Sequence, residues 1–96
     1  MPYIPKDRRD KYDDHIDSLA HILNTLEGND ELLGEMNYVL FRLARILSDE
    51  ESGGQRRYAR LAVIRSCLRE AHDEFGRRTL VPYEIEKERQ NGDVEL

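Results

Sequence analysis

Tryptophan is absent, cysteine occurs once, and proline only three times in 96 residues. Each scarcity excludes something. A single thiol, Cys67, makes no internal disulfide and supplies too few sulfur ligands for a structural zinc site, so it is expected as a small buried helix residue. The longest apolar runs, such as Leu61-Ala62-Val63-Ile64, fall far short of the ~20 residues needed to cross a bilayer. Met1-Pro2-Tyr3-Ile4-Pro5 leads into charge with no apolar stretch after it, so no secretory leader is expected, and the missing disulfides fit a cytoplasmic setting. No serine lies in a G-x-S-x-G context, and Gly53-Gly54 is too short a glycine loop to cradle phosphates.

What is present is helical. Hydrophobic residues at 39% and charged residues at 36% describe a globular chain. A chain of this length makes one domain over residues 1–96 with a modest core. Tyr12, Ile16, Leu19, Leu23 and Leu26 recur at spacings of four and three, which predicts a one-sided helix over about residues 6–27 with Gly28 as its C′ residue. Asn29 or Asp30 is then expected to cap a second helix, over about 30–47. Its residues Leu32, Leu33, Met36, Val39, Leu40, Leu43, Ala44, Ile46 and Leu47 cover an arc of roughly 160°. Gly34, Tyr38, Phe41 and Arg45 form another stripe on the reverse side. A helix apolar on nearly both sides is central in its fold or shared between subunits.

Ser48 to Gly54 reads as a polar, glycine-closed turn. A third helix over about 55–80 follows from Leu61, Ile64, Leu68, Ala71 and Phe75. Pro82 is expected to interrupt it, because proline lacks an amide donor and disfavours the helical conformation at Val81. Residues 83–96 then make a short helical or extended tail, with Tyr83–Gln90 able to restart and Asn91-Gly92 to stop. The predicted fold is all-α: a three-helix antiparallel bundle, built from a helical hairpin and a long third helix, with a tail after Pro82 and completion by oligomerisation.

The net charge of −5 argues against general nucleic-acid binding, but it is uneven. Residues 1–52 hold 6 basic and 12 acidic side chains, and residues 53–96 hold 9 and 8. Arg56, Arg57 and Arg60 stand at the start of the third helix, where they offer an anion a place, and with Arg65, Arg69 and Tyr58 they define the nucleic-acid alternative. In the first helix His15 and His21 are six residues apart rather than the four a helix uses for zinc, so no metal is expected. The sharpest enzymatic alternative is an all-α nucleoside triphosphate pyrophosphatase, which holds magnesium with an ExxE and an ExxD. Glu70-Ala71-His72-Asp73 spells the second, but Glu31 and Glu35 are spaced by four, and Glu70 and Asp73 project away from the apolar stripe.

Gly34-Glu35-Met36-Asn37-Tyr38-Val39, Glu74-Phe75-Gly76-Arg77-Arg78 and Val81-Pro82-Tyr83-Glu84 through Asn91-Gly92-Asp93-Val94 resemble a family of small uncharacterised helical proteins common in bacteriophage and bacterial genomes. The resemblance spans most of residues 31–94. The chain departs from it at Gly76, where the family tends to carry an aromatic residue, and in its final Glu95-Leu96. The resemblance implies a shared fold and no activity.

The function these residues point to is a non-enzymatic, homo-oligomeric interaction module. Gly34, Tyr38, Phe41 and Arg45, with Tyr83 from the tail, are its candidate interface, since aromatic residues and arginine are enriched at interfaces. The expected partner is a second copy or more of the chain, with another protein as the alternative. No cofactor, catalytic residue or membrane contact is expected.

Overall fold

The described part of the chain opens on a proline-set turn. Pro5 is extended (φ −57°, ψ 150°), and its carbonyl accepts the Arg8 amide at 3.0 Å, which opens a 3-10 turn over Lys6–Arg8. The computed structural model describes residues 4–50 and 57–94. Helix α1 follows over Asp10–Asn24, with Asp10 and Asp13 in its first turn, where a carboxylate suits the positive end of the helix dipole. The helix stops before the expected Glu27. The Thr25 hydroxyl donates to the Ile22 carbonyl at 2.7 Å and the Thr25 amide to the same oxygen at 3.2 Å, so threonine ties off the last turn.

Gly28 therefore opens the next helix instead of closing the first. Its carbonyl accepts the Leu32 amide at 3.1 Å, and α2 runs over Asn29–Glu50. Among the described residues only Gly92 has positive φ, so no left-handed cap stands at Gly28. Asn29 is already inside the helix, not ahead of it. At its other end α2 passes through the residues expected to form a turn. The Ser48 hydroxyl donates to the Ala44 carbonyl at 2.7 Å, satisfying itself within the helix, and Arg45 and Asp49 pair one turn apart. Ser52, Gly53 and Gly54 lie outside the described residues.

The chain divides into two compact units, Met1–Gly54 and Gln55–Leu96. In the first, α1 and α2 touch across a four-residue connection. In the second, helix α3 covers Tyr58–Phe75, with Arg57 extended ahead of it (φ −115°, ψ 138°) and the Leu61 amide bonded to the Arg57 carbonyl. A π-helical segment, Gly76–Leu80, leads directly into α4, Val81–Asn91, which Gly92 ends at φ 85°. The all-α class, the hairpin and the long third helix are as the sequence predicts, and no strand occurs among the described residues.

Pro82 does not interrupt. Val81 keeps helical angles (φ −62°, ψ −46°), and its amide bonds the Gly76 carbonyl, five residues back rather than four. A proline here lacks the donor for the Arg78 carbonyl and its ring crowds that oxygen. Widening the preceding turn to π geometry relieves the clash, so helix continues where sequence rules expect a stop. Glu74 holds both Arg77 and Arg78 from the turn before, which charges the outside of the π segment.

Among the described residues no apolar side chain is buried; the one buried residue is Ser48. Leu23, Leu26, Val39, Ala44 and Ile46 are half-buried in the first unit, Ala62 and Ile64 in the second. Cys67, expected inside, is exposed, because it flanks the α3 stripe and no described element of its unit covers that edge. Replacing Pro82 with alanine should restore the missing donor and let the π turn tighten. Urea unfolding should then show a gain of roughly 1 kcal/mol with a larger helical signal, and a loss would mean that the π turn is held by something other than the proline.

Candidate functional site

Helix geometry settles which α2 residues share a face. With Tyr38 as origin and about 100° per residue, Phe41 lies at about −60°, Gly34 at about −40° and Arg45 at about −20°. On the other side of the origin Asp49 lies at about +20°, Arg42 at about +40° and Ile46 at about +80°. Six side chains on this face surround an open groove of about 420 Å³: Tyr38, Phe41, Arg42, Arg45, Ile46 and Asp49. Tyr38 is 65% exposed and Phe41 63%, values that place two large aromatic rings in solvent on the single chain.

Electrostatics gives this face order. The Arg45 guanidinium stands 5.8 Å from the centroid of the Phe41 ring, within cation–π range, and reaches Asp49 at 4.0 Å. A Phe41–Arg45–Asp49 ladder, each rung one turn on, so holds the arginine along the groove. Both of its ion-pair members are close to half exposed, so the pair adds little to stability. Gly34 leaves a gap one turn before Tyr38: a methyl group built on it meets no atom within 4 Å.

Gly34, Tyr38, Phe41 and Arg45 share one surface, as their spacing in the sequence indicates. Sequence reasoning missed Arg42, Ile46 and Asp49, although a signal was there: each stands four residues after Tyr38, Arg42 or Arg45. Tyr83 belongs to the other unit, where it is 60% exposed with the Lys87 ammonium 5.7 Å from its ring. A second, smaller opening of about 390 Å³ lies on the aliphatic side of α2, lined by Asn29, Leu32, Leu33, Met36 and Asn37.

The other candidates are distributed as follows. Of the proposed anion site, Arg57 is exposed at the head of α3, Arg60 is half-buried one turn on, and Arg56 lies outside the described residues. His15 and His21 are both exposed on α1. Glu70 and Asp73 are exposed on α3, with Asp73 bonded to the neighbouring His72 ring at 3.1 Å, while Glu31 and Glu35 belong to α2 in the other unit. No group of three or more histidine, cysteine or acidic side chains suited to a metal ion occurs among the described residues. None of the described helices is long and apolar enough to cross a membrane.

Residues 1–94 match a family described as a domain of unknown function, DUF6899. No curated protein and no solved structure matches the chain.

Gly34 generates a prediction of its own. Glycine inside a helix costs about 1 kcal/mol relative to alanine, and the chain itself offers no obstacle to a side chain there. At high dilution, Gly34→Ala should stabilise the protein to thermal unfolding by roughly 0.5–1 kcal/mol. Destabilisation at high dilution would mean that another part of the chain fills the gap.

Proposed function

The chain belongs to the DUF6899 family, and from that premise and the geometry above we propose that it is a non-enzymatic interaction module whose first partner is another copy of itself. One observation carries this reading. The α2 helix is apolar on two sides, and yet no described apolar side chain is buried. Removing a large apolar side chain from water is worth roughly 1.5–3 kcal/mol. Ordering each residue's backbone costs about 1–2 kcal/mol. Helices with half-exposed leucines, such as Leu33 at 63% and Leu43 at 53%, lack the burial that offsets this cost. Further protein surface supplies it.

The chemistry of the Tyr38 face favours a protein as occupant. Its aromatic rings and arginines are the residue types that carry binding energy at interfaces. They stand on a helix, which fixes their spacing before a partner arrives.

Light scattering on the full chain, in reducing buffer because Cys67 is exposed, should give at least a dimer mass. Phe41→Asp places a charge where apolar contact is needed. It should weaken association by roughly 1,000-fold, counting roughly 2 kcal/mol for each of two rings, while far-UV dichroism keeps its helical signal. A wild-type monomer at high concentration would overturn the proposal.

A further inference from the structure

Within seven residues of Tyr38, charges along this face of α2 have opposite sign on either side of its centre. Glu31 and Arg45 each stand seven residues from Tyr38, on opposite sides of it. Gly34 and Arg42 each stand four away, and Glu35 and Phe41 three. By projection Glu31 lies at about +20° and Glu35 at about +60°, on the same surface as Arg42 and Arg45. The N-terminal half of the face therefore carries two carboxylates and the small residue, and the C-terminal half carries two guanidinium groups and the ring, with Asp49 one turn beyond Arg45.

A surface of this kind complements itself only when one copy is reversed. We propose that α2 pairs antiparallel with α2 of a second copy about a two-fold axis at Tyr38, an inference that rests on self-association as proposed above. Arg45 of each copy then stands level with Glu31 of the other. Arg42 stands level with the other copy's Gly34 and next to its Glu35. The Phe41 ring lies beside the gap left by the opposing Gly34, where no atom of the chain comes within 4 Å of a built methyl group. An isologous contact of this type repeats every pairing twice.

Parallel pairing has the reverse consequence. It sets Arg42 and Arg45 against their own counterparts, and Glu31 and Glu35 against theirs, and like charges held across an interface are repelled. The aliphatic side of α2 cannot decide between the two directions, because from Leu32 to Leu47 the residues along it (Leu32, Met36, Val39, Leu40, Leu43, Leu47) carry no charge. The Arg45–Asp49 pair, at 4.0 Å and close to half exposed, adds little that a contact with Glu31 would have to replace.

The test is a charge exchange read by sedimentation equilibrium. One variant carries Arg42→Glu and Arg45→Glu, a second carries Glu31→Arg and Glu35→Arg, and a third carries all four substitutions. Each double variant should dimerise at least roughly 30-fold more weakly than wild type. The fourfold variant should regain dimerisation, and the two doubles mixed in equal amounts should form a heterodimer. The heterodimer shows that the doubles fold, and the fourfold recovery shows that the pairing is antiparallel. Wild-type dimers that survive both double exchanges, or doubles that are not rescued by the fourfold variant, would overturn the antiparallel pairing and leave self-association standing. A monomeric wild type would remove both.

Discussion

The constraint on which this structure depends is the covering of apolar circumference. Helix α2 has aliphatic side chains over one broad side and two aromatic rings on the other, and none of them is buried. Backbone hydrogen bonds hold a helix together but contribute modestly to its net stability in water, so the persistence of a helix in a protein comes mostly from the face it packs. The local devices seen here, including the Thr25 hydroxyl on Ile22 and the Ser48 hydroxyl on Ala44, fix where helices stop and continue. They are each worth about 1 kcal/mol. They decide boundaries, while apolar burial decides whether the helices stay ordered.

Much of this was legible in the sequence, and the failures are local. The period of Tyr12, Ile16, Leu19 and Leu23 identifies α1, and the dense aliphatic pattern identifies α2, because burial periodicity is written in every turn. Ends are set by single side chains, and there the rules compete. Gly28 satisfied the pattern for a helix stop, but Thr25 had already ended the helix three residues earlier. Ser48 and Asp49 satisfied the pattern for a turn, but each finds a partner one turn back in the helix. Sequence rules read what a residue can do, and the structure reports which of its options its neighbours leave open.

Pro82 illustrates the same competition at higher cost. A proline preceded by an ordinary α-helical turn removes one hydrogen bond and crowds one carbonyl. The chain escapes this at Gly76, whose carbonyl takes the five-residue bond from Val81. The π turn that begins at Gly76 and the failure of the expected helix break at Pro82 are thus parts of one local event. Neither residue alone would have predicted it.

The candidate site was legible as to composition but not as to order. Tyr38, Phe41 and Arg45 stand out in the sequence as interface residue types, whereas Arg42 carries no such signal and Asp49 reads as part of a turn, yet both line the same groove. A helix that is apolar on two sides has a difficulty that apolar contact cannot solve, since leucine against leucine is favourable in many registers and in both directions. Charged residues flanking a few rings make most of those arrangements costly at small loss of affinity. On α2 the two requirements are separated onto two surfaces. In the proposed pairing the aliphatic side supplies area without direction, and the Tyr38 side, with Glu31 and Glu35 before its centre and Arg42 and Arg45 after it, supplies direction with little area. With so little buried among the described residues, the proposed self-association draws on both, because area alone would let copies associate in any order.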